Sequence, residues 1–171
     1  MIKSQVKLIC DAGPIIHLDE ISCINLLNDF DKVIIPPTVE KEITTHRPLA
    51  LHDSNLDMIV QDKRIDIREE LWTLCRNFSL DAGETEALAL MEKYSPAILL
   101  TDDAAARLVA EQMRFNVHGT IGVLVRSIRR GQKRPEEVLQ ILSEIPLKSS
   151  LYIKTSLLNE IIQKIMEEFR L

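Results

Sequence analysis

"PAILLTDDAAARL", residues 96–108, is a short apolar run that ends on two adjacent aspartates and continues into an alanine-rich segment. A compact apolar run bounded by turn signals is typical of a buried strand, whereas alanine favours helix. The pattern therefore predicts a strand over 96–101 and a helix over 102–113. It also puts two carboxylates where a buried strand ends, and that position requires a chemical reason.

The same strand-then-helix pattern recurs along the chain. The runs "VKLICD" (6–11), "KVIIPP" (32–37) and "FNVHG" (115–119) predict three more strands. Helical spacing of apolar residues predicts helices over 14–30, from residue 38, and over 71–78, 79–94, 120–131, 134–145 and 156–171. Residues 56–69 have mixed signals that suit a short strand pair. Strands that alternate with helices predict a parallel sheet covered on both faces, because parallel neighbours need crossover connections.

Length and composition favour one globular domain. The chain has 171 residues, of which 46% are hydrophobic, and we expect a single domain over 1–171 in which 132–171 form a C-terminal helical extension. No apolar run approaches the roughly 18 residues of a membrane span, so we expect no membrane association and a cytoplasmic location. Three cysteines without a CxxC spacing predict buried thiols rather than disulfides or a zinc site.

Charge is distributed unevenly. The net charge of −5 argues against indiscriminate coating of nucleic acid, but no acidic residue lies between positions 112 and 135. The cations of this stretch are candidate nucleic-acid-binding residues: Arg114, Arg126, Arg129, Arg130, Lys133 and Arg134. The alternative is a solvated helix end whose cations only complement the helix dipole.

Acidic residues follow or start the elements that meet at the carboxyl edge of the predicted sheet, where such folds bind ligands. They are Asp11, Glu40, Glu42, Glu84, Glu86, Asp102 and Asp103. Clustered like charges are costly unless protons or cations neutralise them, and oxygen ligands suit Mg²⁺ or Mn²⁺. Such a site can hydrolyse a phosphodiester bond. Taken singly, each acid could instead be a helix cap or complement a helix dipole.

Four motifs in order resemble the PIN-domain proteins: "LICDAGPIIHL" (8–18), "VIIPPTVEKEI" (33–43), "LDAGETEALAL" (80–90) and "ILLTDDAAARLVAEQMRFNVHGTIGVL" (98–124). The resemblance implies a three-layer α/β/α sandwich with a central parallel sheet. It also implies an Mg²⁺- or Mn²⁺-dependent endoribonuclease of the kind found as toxins in toxin–antitoxin pairs, with RNA as substrate and an antitoxin as partner. Family members are frequently homodimers, and the apolar stripe of the last helix is compatible with a dimer.

The resemblance also assigns site residues. Asp11, Glu42, Glu84 and Asp103 are the implied catalytic acids, with Glu86 as a competitor of Glu84. The implied metal ligands are Asp11, Glu84, Asp102 and Asp103; of the last two, Asp103 is slightly favoured. Many members carry Ser or Thr two residues after the first aspartate, where this chain has Gly13.

Two further readings of the sequence stay open. The glycine departure and the acidic composition also suit a non-catalytic PIN-like module that binds nucleic acid or a protein. A phosphoryl-accepting domain is disfavoured, because "CDAGP" offers neither an acidic pair nor D-x-D. Among the other residues, we expect Trp72 in the core, His17 as a packed or capping side chain, and a structural role for His118.

Overall fold

The computed structural model describes residues 5–52, 56–61 and 64–170. Its strands are β1 (Lys7–Cys10), β2 (Val33–Ile35), β3 (Met58–Val60), β4 (Ala97–Leu100) and β5 (Asn116–His118). Its α-helices are α1 (Ala12–Glu20), α2 (Pro37–His46), α3 (Glu69–Asn77), α4 (Ala82–Tyr94), α5 (Ala104–Gln112), α6 (Thr120–Arg129), α7 (Pro135–Lys148) and α8 (Thr155–Phe169). A 3₁₀ helix spans Ile24–Asp29.

The strands described here form one parallel sheet in the order β3-β2-β1-β4-β5. Leu8 of β1 pairs with Val33 of β2 on one side and with Ile98 of β4 on the other. The chain therefore proceeds from β1 toward one edge, returns, and then proceeds toward the other edge. In a sheet of this topology the crevice for ligands opens between the carboxyl ends of the two strands where the direction reverses, here β1 and β4.

Alternating side chains divide the core into two layers, because successive residues of a strand point to opposite faces. In β1, Leu8 and Cys10 pack with α1, α2, α6, α7 and α8, whereas Ile9 packs with α3, α4 and α5. Strands β2 and β4 alternate in the same way. The predicted three-layer α/β/α fold with a central parallel sheet is confirmed.

The two C-terminal helices belong to the first of these layers. Val138 and Leu142 of α7, together with Leu158 and Ile165 of α8, are buried in the same cluster as Leu8. None of the described helices has the length and hydrophobicity needed to cross a bilayer.

The structure refines several local predictions. The signals of 56–69 suit a short strand pair, whereas the described residues of this segment form the single edge strand β3; residues 62 and 63 lie outside the described ranges. The one or two short helices predicted over 14–30 are two: α1 ends at Glu20, Ser22 takes a left-handed conformation with φ 55°, and the 3₁₀ helix follows. Trp72, expected in the core, is 46% exposed, and its ring packs against the Arg76 guanidinium 4.6 Å from the ring centroid. The three cysteines are free and buried, as predicted.

Candidate active site

A cleft of about 400 Å³ opens where β1 and β4 end. Its acidic lining residues come from α2, α4 and the loops that follow β1 and β4: Asp11, Glu42, Asp81, Glu84, Asp102 and Asp103. Gly13, His17 and the segment 150–152 complete the wall. The convergence of distant acidic residues expected from the sequence is thus observed, and it follows from the parallel arrangement of the strands.

Asp11 links the start of α1 to the end of β4. Its Oδ1 accepts the Ala12 N–H at 2.7 Å, and its Oδ2 accepts the Thr101 hydroxyl at 2.9 Å. The Thr101 oxygen in turn accepts the N–H of Asp103 at 3.1 Å. Burial raises the pKa of Asp11 to about 6, and the nearby Asp81 and Glu42 carboxylates raise it as well, against these two hydrogen bonds. Asp11 is therefore both a helix cap and a carboxylate in an acidic cleft.

Glu84 and Asp81 are joined by a capping box at the start of α4. The Asp81 N–H donates to Glu84 Oε2 at 2.8 Å, and the Glu84 N–H donates to Asp81 Oδ1 at 2.8 Å. Burial raises the pKa of Glu84 to about 7, with contributions from the charges of Asp81, Asp103 and Asp11. The acids predicted from the sequence do not include Asp81. Its position three residues before Glu84, on the same helical turn, was the available signal.

Glu86 is turned away from the cleft toward α2. Its carboxylate accepts the Thr38 N–H at 3.1 Å and the Thr38 hydroxyl at 2.9 Å. This contact satisfies a free N–H in the first turn of α2, which begins at a proline and lacks a side-chain cap of its own. Of the two glutamates that compete in the sequence, Glu84 is the one in the cleft.

The adjacent aspartates after β4 have different partners. Asp103 is exposed and caps α5, because its Oδ1 accepts the Ala106 N–H at 2.8 Å. Asp102 accepts the Thr120 N–H at 2.8 Å, the Thr120 hydroxyl at 2.6 Å and His17 Nδ1 at 2.8 Å. Burial raises the pKa of Asp102, but the hydrogen bonds from His17 and Thr120 outweigh burial and bring the pKa below its ordinary value. Asp102 is ionised and held by protein donors on both oxygens.

The predicted basic residues are largely paired with carboxylates. Arg126 and Arg130 both bind the buried Asp29, and the Arg126 guanidinium also lies 4.8 Å from the Phe30 ring centroid. Arg129 contacts Glu168 at 3.3 Å. These three arginines line a cavity of about 280 Å³ together with His118. Burial lowers the pKa of His118, as do the neighbouring positive charges of Arg126 and Arg107.

The other three predicted cations lie elsewhere. Arg134 precedes α7 and contacts Glu137 at 3.3 Å. Arg114 follows α5 with a left-handed φ of 60°, in the turn that leads to β5. Lys133 lies in the loop between α6 and α7.

The donor chemistry of the cleft fits a hard divalent cation. Its acidic groups supply carboxylate oxygen, the ligand type of Mg²⁺ and Mn²⁺, and it contains no thiol. Within the described ranges, no three His, Cys, Asp or Glu side chains lie close enough together to hold an ion as they stand. Mg²⁺ in proteins commonly takes only one or two carboxylates and keeps waters, so fewer ligands than three suffice.

The family described as a PIN domain matches residues 7–167 of this chain. The chain belongs to the PIN-domain family. The resemblance seen in the sequence is thereby confirmed, and the chain has a nuclease-like PIN fold whose matched range includes α7 and most of α8. No curated protein and no solved structure matches the chain.

Proposed function

We propose that this PIN domain is an Mg²⁺- or Mn²⁺-dependent endoribonuclease that hydrolyses phosphodiester bonds in single-stranded RNA. The observation that supports this most strongly is the cleft itself, where carboxylates from four separate segments meet. Burial and mutual repulsion raise the pKa values of Asp11 and Glu84, so the ionised cleft is unfavourable without a cation. A divalent ion held by these carboxylates would relieve the repulsion.

Asp11, Glu84 and Asp103 are the residues that we propose hold the ion. When bound, it supplies charge neutralisation at the phosphate and activation of water for attack on phosphorus. We propose a supporting role for Asp102, because both of its oxygens already accept protein donors. Glu42 and Asp81 add negative charge to the same wall, and that charge favours cation binding.

Glu84 has one carboxylate oxygen available for the cation. Its Oε2 accepts the Asp81 N–H, so Oε1 is the atom that we assign to the ion. The pKa of about 7 belongs to the metal-free cleft, and a bound cation would lower it and keep Glu84 ionised. Asp11 keeps its orientation through the Ala12 amide and the Thr101 hydroxyl.

The basic residues from 114 to 134 would guide the RNA backbone. Arg126, Arg129 and Arg130 line one cavity with His118, close to where β5 ends. Arg126 and Arg130 both contact Asp29, and arginine side chains are of the type that contacts the phosphates of a nucleic-acid backbone. Arg114, Lys133 and Arg134 extend the same proposal. We further propose that the protein is a toxin that pairs with an antitoxin and forms a homodimer, as the family resemblance implies. The proposed location is the cytoplasm, as expected from the sequence pattern.

A non-catalytic RNA- or protein-binding module is the second candidate. Gly13 stands where many relatives carry a hydroxyl, and the described acids are not arranged as a closed metal site. This candidate predicts salt-sensitive binding of RNA, or binding of a protein, without cleavage.

A pair of glutamate variants tests the nuclease proposal. Wild-type protein should cut a loop-containing RNA with Mg²⁺ or Mn²⁺ and should not cut it in EDTA. Glu84→Gln should lower the single-turnover rate by at least about 100-fold, the scale of one lost electrostatic contact to the transition state. Glu86→Gln is the matched control, because Glu86 lies two residues along the same helix but outside the cleft. This variant should retain the rate within about threefold, since the charges in the cleft stay the same. Equal cleavage by Glu84→Gln would overturn the proposal, and RNA binding without cleavage would favour the second candidate.

A further inference from the structure

The segment between α7 and α8 places an aromatic side chain at the rim of the acidic cleft. Ser150, Leu151 and Tyr152 form part of the cleft wall. Leu151 and Ile153 pack against the core, whereas Tyr152 between them is 84% exposed. This alternation is that of an extended chain, in which successive side chains point to opposite sides. The phenol ring therefore stands out from the surface beside the carboxylates.

A carboxylate at the end of α1 holds this segment in place. Glu20 accepts hydrogen bonds from the Ser149 hydroxyl at 2.8 Å, the Ser150 N–H at 2.7 Å and the Ser150 hydroxyl at 3.0 Å. The same helix begins at its cap, Asp11. One rigid nine-residue helix, about 13 Å long, thus fixes the rim relative to the acidic centre. Tyr152 is presented from an anchored backbone rather than from a free loop.

We propose that Tyr152 stacks on a nucleobase of the RNA strand next to the phosphate that is cut, and so contributes to substrate recognition. The proposal rests on the proposed nuclease function. Carboxylates and a cation engage the backbone and carry little information about the bases. An exposed aromatic ring offers a face on which an unpaired base stacks, and such stacking is the usual way proteins hold single-stranded RNA. Among the described residues that line the cleft, Tyr152 is the one Phe, Tyr or Trp, and the His17 ring is held by its hydrogen bond to Asp102.

Three variants separate stacking from general surface effects. Tyr152→Ala removes the ring, and Tyr152→Phe keeps the ring while it removes the hydroxyl. Leu147→Ala is the matched control, because Leu147 is another apolar side chain, 90% exposed, five residues away and outside the cleft wall. Both positions are at the surface, so the three variants should have unchanged circular dichroism and thermal unfolding.

Binding and turnover are measured separately. Fluorescence anisotropy in EDTA gives the affinity of each variant for a single-stranded oligoribonucleotide, and cleavage with Mn²⁺ gives KM and kcat. Tyr152→Ala should weaken binding and raise KM by about tenfold, within the range for one lost base–aromatic stack, while kcat at saturating RNA stays unchanged. Tyr152→Phe and Leu147→Ala should match wild type within about twofold, because neither removes a stacking ring. The fluorescence of a 2-aminopurine placed beside the cleavage site should be quenched when its base stacks on the ring of residue 152. We therefore expect quenching on binding to wild type and Tyr152→Phe, and no quenching on binding to Tyr152→Ala.

These outcomes distinguish failure of this inference from failure of the nuclease proposal. If Tyr152→Ala binds and cuts RNA as the wild type does, the stacking role is overturned and the nuclease stands. If wild-type protein binds RNA without cutting it, the nuclease fails, and a tenfold loss of affinity in Tyr152→Ala still supports stacking. If Tyr152→Ala and Leu147→Ala weaken binding equally, stacking is overturned in favour of a diffuse surface effect. If Tyr152→Ala loses binding to a protein partner but binds RNA as the wild type does, the stacking role is overturned in favour of a protein-docking role.

Discussion

Replacement of Asp11 by asparagine should stabilise the metal-free protein at alkaline pH, although it removes a charge from the proposed active site. The fold raises the pKa of this carboxyl from the usual 3.8 to about 6. That difference means that ionisation of Asp11 costs the folded state about 3 kcal/mol. An amide carries no charge and avoids this cost. It also lowers the repulsion that Glu84 experiences, because Asp11 contributes to the raised pKa of Glu84.

The substitution also carries a cost. An asparagine oxygen can still accept the Ala12 N–H, but its amide nitrogen cannot accept the Thr101 hydroxyl that now donates to Oδ2. Loss of that hydrogen bond in a buried setting costs about 1–2 kcal/mol. The net expectation at pH 8 is a gain of about 1–2 kcal/mol, which corresponds to a rise in Tm of roughly 2–8 °C for a chain of this size.

The sign of the effect depends on pH. Because the pKa of Asp11 is higher in the folded state, the folded protein binds more protons than the unfolded chain between about pH 4 and 6. The contribution of Asp11 to the stability of the wild type therefore falls as the pH rises through this window and is most favourable below it. At pH 4 the wild-type carboxyl is neutral, so Asp11→Asn retains only its lost hydrogen bond and should be about 1 kcal/mol less stable.

Urea unfolding in EDTA at pH 4 and pH 8 measures both differences. Asp19→Asn is the control, because Asp19 lies on the same helix but pairs with Arg47 at the surface. Its substitution should cost about 0–1 kcal/mol at pH 8, without a reversal of sign. Added Mg²⁺ at pH 8 should stabilise the wild type and leave Asp11→Asn nearly unchanged. If Asp11→Asn is destabilised equally at both pH values, Asp11 is a simple helix cap and the electrostatic reasoning is refuted.

Three other substitutions test the surroundings of the cleft. Gly119→Ala would place a Cβ 2.6 Å from Asp102 Oδ1, so we expect a loss of about 1–3 kcal/mol in thermal unfolding, and an unchanged Tm would contradict this. Asp29→Ala should lower the free energy of urea unfolding by about 2–3 kcal/mol, because Arg126 and Arg130 lose a buried partner but keep contact with solvent. A cost under about 0.5 kcal/mol is that of an ordinary surface substitution and would show that these ion pairs do not stabilise the fold. Thr101→Val removes a hydrogen bond to ionised Asp11, so the pKa of Asp11 should rise further and the acidic limb of the cleavage pH profile should move to higher pH. Thr101→Ser keeps the hydroxyl and should leave the limb at its wild-type position. An unshifted limb in Thr101→Val would argue against a role for Asp11 in turnover.

Most of the fold could be predicted from the sequence because the strands are short, buried on both faces and followed by helices. The runs that contain Leu8, Ile34 and Leu99 are apolar on both faces, as central parallel strands require. The edge strand β3 and the exposed Trp72 were harder to predict. Edge strands have weak periodicity, and the contact between Trp72 and Arg76 leaves no apolar signature in the sequence.

The candidate site was predictable to the level of the cleft but not of each oxygen. Parallel strands bring their carboxyl ends to one edge, which is why Asp11 and the two aspartates after β4 meet. Which acid faces the cleft depends on long-range contacts, such as the one from Glu86 to Thr38, 48 residues away. The pairing of Arg126 with Asp29 spans 97 residues and was equally invisible in the local pattern.

Diffraction from crystals soaked in Mn²⁺ shows directly whether the carboxylates of this cleft hold a divalent cation. We expect an anomalous peak in the cleft, with Asp11 and at least one of Glu84 and Asp103 as direct ligands, and no such peak in Asp11→Asn crystals. If saturating Mn²⁺ leaves the cleft empty, or binds only to exposed acids elsewhere on the molecule, these carboxylates are not a cation site.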